Sequence, residues 1–145
     1  MRLDLQEYLV DLTALCASDS GRGTAEGNHA VAAFFEERYQ ALGLKTELRH
    51  QEGGEASPLL LIRNSDDEEI DVLFIAHMDT VFADGTAAEW PLTVDQDGIG
   101  RGPGCVDCKG GCLSIYYLLR HMLTEGSCNF RFCVAMNSDE WRCRL

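Results

Sequence analysis

Three short stretches of the chain carry side chains able to do chemistry. They are His77-Met78-Asp79, Asp107 within GRGPGCVDCKGG at 100–111, and Asn137-Ser138-Asp139-Glu140. An imidazole that ligates a metal commonly gives its other N–H to a carboxylate, which fixes its tautomer and basicity. Residues i and i+2 of an extended chain face one side, so His77 and Asp79 could supply ligand and orienter together; the plainer reading is a loop histidine near a surface aspartate. Repeated glycine lets backbone approach a ligand closely. Asp107 in such a setting could bridge two divalent metals, or could simply cap the helix that follows. A phosphate-binding loop is discounted, because neither GxGxxG nor GxxxxGK[ST] occurs. At Asp139-Glu140 a carboxylate could deprotonate a metal-bound water, or both acids could be solvated in a turn.

These clusters need elements to position them. Leu5, Leu9, Leu12 and Leu15 recur at helical spacing, so 3–15 reads as a helix. The polar stretch 18–28 reads as a loop, and 29–42 as a second helix with Val31, Phe34, Phe35 and Leu42 on its apolar face and Gly43 as its stop. Residues 44–50 alternate like a strand, while 58–62 and 72–76 read as buried strands, short and apolar between polar loops. The acidic run 64–69 reads as a solvated turn. Asp97-Gly98 marks a hairpin over 92–101. A third helix over 110–123 and a strand over 130–136 complete the alternation, which predicts an α/β fold with a mostly parallel or mixed sheet. In open sheets of this class ligands bind beyond the carboxyl ends of the strands. The clusters at 77–80 and 137–140 fall there, and the third sits in the glycine-rich loop before the last helix.

Composition narrows the function. The chain has 145 residues, 46% apolar and 25% charged, which suits one soluble domain and argues against disorder. Twelve basic against 24 acidic residues leave a net charge of −12, unsuited to nucleic acid or an anionic membrane. The longest strongly apolar run, 72–76, is far short of the ~20 residues that span a bilayer. Asp4, Glu7 and Asp11 interrupt any leader-like start, so a cytoplasmic location is expected. Seven cysteines in a reducing compartment do not suggest a disulfide scaffold. Cys105-x2-Cys108-x3-Cys112 has a spacing that could hold zinc or an iron–sulfur cluster, with Cys128 or Cys133 as a fourth ligand. No second CxxC accompanies it, and packing is the favoured reading. His29, His50 and His121 have no partners by spacing, and Trp90-Pro91 reads as loop packing.

AHMDTV at 76–81, GRGPGCVDCKGG at 100–111 and NSDE at 137–140 together resemble the co-catalytic di-zinc amidohydrolase and metallopeptidase family of glutamate carboxypeptidase, acetylornithine deacetylase, succinyl-diaminopimelate desuccinylase, tripeptidase and aminoacylase. The loop from Ser20 to Asn28 and ALGL at 41–44 resemble that family's N-terminus, so the likeness covers 3–140. It implies an α/β zinc-exopeptidase-type domain, here its N-terminal part, with a mixed sheet flanked by helices and without the family's smaller lid domain, through which members often dimerise. It implies two zinc ions per site in the intact family, with cobalt or manganese as substitutes, and a small peptide or N-acyl amino acid substrate cut beside a carboxylate-bearing residue. By the same likeness His77 and Asp107 would be metal ligands, Asp107 bridging; Asp79 would orient His77, and Glu140 would be the general base. The family carries a ligating glutamate directly after that base, where this chain has Trp141. Residues 1–140 thus read as a partial catalytic domain and 141–145 as a foreign tail, which a truncated or frame-shifted reading frame would explain. Such a chain is expected to be weakly active or inactive. The alternatives are a non-catalytic interaction domain that keeps the hydrolase fold and, less favoured, a cysteine-ligated metal protein.

Overall fold

The structure is a computed structural model and describes residues 3–21, 24–50 and 57–139. Helix α1 (Leu5–Cys16) opens on Asp4, whose carboxylate accepts from the Gln6 and Glu7 amides at 3.0 and 3.2 Å, satisfying donors the first turn leaves orphaned. Its Leu12, Leu15 and Cys16 are buried, while Leu5, in the first turn, stays exposed. Helix α2 (Ala25–Ala41) begins four residues earlier than periodicity predicts. Asn28, expected in the loop, lies in its first turn and donates to the Gly21 and Thr24 carbonyls. Strands β1 (Lys45–His50), β2 (Pro58–Arg63) and β3 (Val72–His77) follow, then a one-turn helix α3 (Thr86–Glu89) that no apolar period announces. Two-residue strands β4 (Thr93–Val94) and β5 (Gly100–Arg101) pair antiparallel around Asp97-Gly98. Helix α4 (Lys109–Thr124) and strand β6 (Phe132–Asn137) close the described fold.

The main sheet runs β1-β2-β6-β3, antiparallel at the first two joins and parallel between β6 and β3. The class is therefore mixed α/β. The parallel join sets His77 opposite Asn137 in register, so the two polar strand ends leave the sheet side by side. Asp71 and Arg131 stand just before the two strands and pin the join. The Asp71 carboxylate accepts from the Arg131 backbone N–H at 2.8 Å and from its guanidinium at 2.9 and 3.1 Å.

Helices cover one face of this sheet. Leu60, Ile62, Phe132, Val134, Met136 and Ala76 point into a core shared with Val31, Phe35 and Tyr39 of α2 and Leu113, Tyr116 and Leu119 of α4. β3 departs from the expectation of a fully buried strand. It is an edge strand, and alternate residues on its other face, Leu73 and Ile75, are 50% and 69% exposed. Asp11 of α1 knits the helical layer, accepting from Arg38 of α2 at 2.6 Å and from the Tyr117 hydroxyl of α4 at 2.9 Å. His29 and His50, unpartnered by spacing, lie with ring centroids 5.2 Å apart. Trp90 packs edge-on against Phe82. Among the described residues no helix is long and apolar enough to cross a membrane.

Candidate metal centre

β3 ends at His77, and the chain beyond it is held by the α1–α2 loop. The Ser20 hydroxyl donates to the Met78 carbonyl at 3.0 Å, and the Thr80 N–H donates to the Ser20 carbonyl at 2.9 Å. Asp19 in the same loop accepts from the Gly85 and Ala87 amides and so caps α3. From the other side the Cys112 thiol of α4 donates to the His77 carbonyl at 3.2 Å. Asp79 falls past the strand, so it meets the imidazole through a turn and not through strand alternation. His77 Nδ1 is 3.1 Å from the Asp79 backbone oxygen and 3.4 Å from its Oδ1.

The glycine-rich loop brings in the second partner. Gly104 has φ +72, and a side chain there would stand 2.8 Å from Thr80 Cγ2; the loop crosses the strand end closely only because no Cβ intervenes. Lys109, fully buried at the start of α4, donates from Nζ to the Leu15 and Ser18 carbonyls at 2.9 and 2.6 Å. It ties the loop to the end of α1, where carbonyls lack helical partners, and burial lowers its pKa. The Asp107–Cys108 peptide is cis. Cys108 occupies the N-cap position without a side-chain capping bond, and Asp107 turns its carboxylate to His77. The helix-capping alternative for Asp107 is not the arrangement found.

His77 Nε2 lies 2.9 Å from Asp107 Oδ1, with the imidazole 12% and the carboxylate 65% exposed. Both ring nitrogens thus face oxygen acceptors, a peptide carbonyl at Nδ1 and a carboxylate at Nε2. A neutral imidazole has one N–H, so a second proton or a cation belongs in this arrangement. Burial alone would lower the His77 pKa, but the hydrogen bond to Asp107 and the neighbouring acceptors carry it above its ordinary value.

Sequence reasoning left Cys108 in the packing. Cys108 does pack, partly buried, against the core cluster, and the structure also puts one ligand atom each of His77, Asp107 and Cys108 within 4.8 Å of one another. The Cys108 thiol is brought down to about 6 by its hydrogen bond with Cys112, with further help from His77, while Cys112, buried, is pushed up by that same bond and by burial. The signal available in the sequence was adjacency to Asp107, which a search for cysteine spacing alone overlooks. Asp139 is described at the end of β6, beyond Ser138, whose hydroxyl donates to the Pro58 carbonyl. Glu140 and Trp141 lie outside the described residues.

Residues 73–140 match the family model described as Peptidase family M20/M25/M40. Over those residues the chain is similar to that family. It is 29% identical over 130 residues to carboxypeptidase G2 of Pseudomonas sp. (strain RS-16), covering 89% of this chain and 31% of that protein. Among solved structures it aligns with the M20 family metallo-carboxypeptidase Sso-CP2 of Sulfolobus solfataricus at a TM-score of 0.74 and 22% identity, over 92% of this chain and 31% of the other. Human carnosine dipeptidase 1 aligns at 0.70 and 19% identity, over 92% and 32%. The solved structures show the shared fold. The chain spans about a third of the length of the proteins it matches.

Proposed function

We propose that the chain contributes the His77–Asp107 part of a metal-dependent amide hydrolase site, of the carboxypeptidase or N-acyl-amino-acid deacylase type. The observation that carries this is the pair of acceptors around one imidazole, an arrangement that a cation between Nε2 and the Asp107 carboxylate would satisfy. Their 2.9 Å separation is within the span of two bonds of about 2.0–2.2 Å to one zinc ion. A zinc ion bound there would polarise the scissile carbonyl and lower the pKa of the attacking water.

The roles of the chain's own residues follow from their placement. His77 presents Nε2 to the ion, and its Nδ1–H donates to the Asp79 carbonyl, which holds the tautomer. The Asp79 carboxylate, close to the same nitrogen, adds negative charge behind the ring. Asp107 is the more exposed of the two, so substrate would approach the ion from its side. Glu140, by family resemblance, takes the proton of the attacking water and passes it to the leaving amine. The named carboxypeptidases among the relatives support a substrate with a free carboxylate, a small peptide or an N-acyl amino acid.

The test is release of amino acid from N-acyl amino acids and dipeptides by the purified chain with zinc. Turnover is expected to be slow at best, lost on chelation and lost in Glu140→Gln. Turnover that survives both treatments would remove this reading.

A further inference from the structure

We propose that Cys108 is a third protein ligand, so that His77, Asp107 and Cys108 form one mixed nitrogen, oxygen and sulfur centre. This rests on the reading that His77 and Asp107 hold a divalent cation. The ligand atoms of the three residues already lie within 4.8 Å of one another without an ion. Zinc–sulfur bonds of about 2.3 Å and zinc–nitrogen bonds of about 2.0–2.1 Å close that distance with small side-chain adjustments.

The other nearby thiols are placed differently. Cys112 is buried, and its thiol, beside Cys108, stands 3.2 Å from the His77 carbonyl at the strand end. Cys105, like Cys108, is partly buried against the core cluster, but its sulfur is not among the ligand atoms gathered at His77. Cys108 is half-buried, like His77, and follows Asp107 directly, so the loop that delivers the carboxylate delivers the sulfur with it. Three protein ligands with one open position is the pattern of catalytic zinc.

Sulfur also changes which ion is taken. A thiolate selects zinc, cobalt or other borderline and soft ions over magnesium, calcium and manganese. On binding, the Cys108 S–H bond breaks, its proton passes to solvent and the sulfur–metal bond forms. The centre should therefore reject manganese, which an all-oxygen-and-nitrogen site of the same shape would accept more readily.

The test is a cobalt(II) titration of the 145-residue chain followed by absorption. The expected result is visible cobalt bands together with a near-ultraviolet sulfur-to-cobalt charge-transfer band, saturating in parallel and bleached by zinc. Cys108→Ser should lose the charge-transfer band and keep weakened visible bands, while Cys105→Ser keeps both. Visible bands without charge transfer in the unaltered chain would overturn the role of Cys108 and leave the His77–Asp107 pair standing. A charge-transfer band that persists in Cys108→Ser assigns the sulfur elsewhere and overturns it too. Absence of any bound-cobalt spectrum would overturn both readings.

Discussion

His77 Nε2 and Asp107 Oδ1 stand 2.9 Å apart across thirty residues of chain. One comes from the end of a parallel edge strand and the other from a glycine-rich loop. Neither position is held by the pair itself. Ser20 and Cys112 fix the strand end, and Lys109 anchors the loop to the end of α1. The site is thus a product of the helical layer as much as of the sheet.

Lys109→Met should be destabilising. It takes the ammonium donor from the Leu15 and Ser18 carbonyls; Leu15 keeps the Ser18 N–H at 3.2 Å, while Ser18 loses its charged partner. An orphaned buried group costs roughly 1–3 kcal/mol, offset in part by the easier burial of a neutral side chain. A fall of about 2 kcal/mol in urea unfolding is expected. An unchanged midpoint would show that the ammonium is not the anchor.

Asp11→Ala should loosen the helical layer without touching His77 or Asp107. Arg38 and Tyr117 both lose their acceptor. The Arg38 side chain keeps 28% exposure, so water offsets part of the penalty for a broken buried pair and about 2–3 kcal/mol is expected. Chemical denaturation reads this directly, and a Tyr117→Phe variant should lose only part of it.

Gly110→Ala should destabilise although alanine is the better helix former. Propensity favours the change by about 1 kcal/mol. A Cβ there would stand 2.2 Å from the Cys105 carbonyl oxygen, and relieving that overlap moves backbone, at roughly 1–3 kcal/mol. A rise in melting temperature would mean that the loop over Asp107 gives way freely.

Acid should weaken the β3–β6 join. Hydrogen bonds from the Arg131 guanidinium and backbone hold the Asp71 carboxyl down at about 2, against an ordinary 3.8. A carboxyl depressed in the folded state contributes stability that is complete above its unfolded pKa and lost as pH falls through the folded one. The loss from this group should therefore run from about pH 4 to about pH 2. A carboxyl titration by NMR should place Asp71 near about 2 and return it to the ordinary range in Arg131→Leu. An ordinary midpoint in the unaltered chain would contradict the pinning role.

Much of this fold was legible in periodicity. The leucines of α1 and the short apolar runs of β2, β3 and β6 are local patterns that burial then used. The exposure of Leu73 and Ile75 was not legible, because a run of apolar residues does not say how many faces of a strand are covered. The start of α2 was missed because Asn28, a loop residue by type, bonds back to Gly21 and Thr24 inside the first turn. At the site, His77 and Asp107 were visible as residue types in suggestive places. Their approach depends on Gly104, Ser20 and Lys109 acting from three separate segments. Cys108 was read with its neighbouring cysteines; its adjacency to Asp107 also brings its sulfur beside His77.

The central claim is that His77 and Asp107 bind one divalent ion, and calorimetric titration of the 145-residue chain with zinc tests it most directly. The account predicts saturable binding of one zinc. His77→Ala and Asp107→Ala should each weaken it by more than roughly 100-fold, since a direct ligand counts for more than the 10–100-fold of an outer partner. Circular dichroism should show both variants folded. Zinc binding by the double variant equal to that of the unaltered chain, or no binding by the unaltered chain at all, would contradict it.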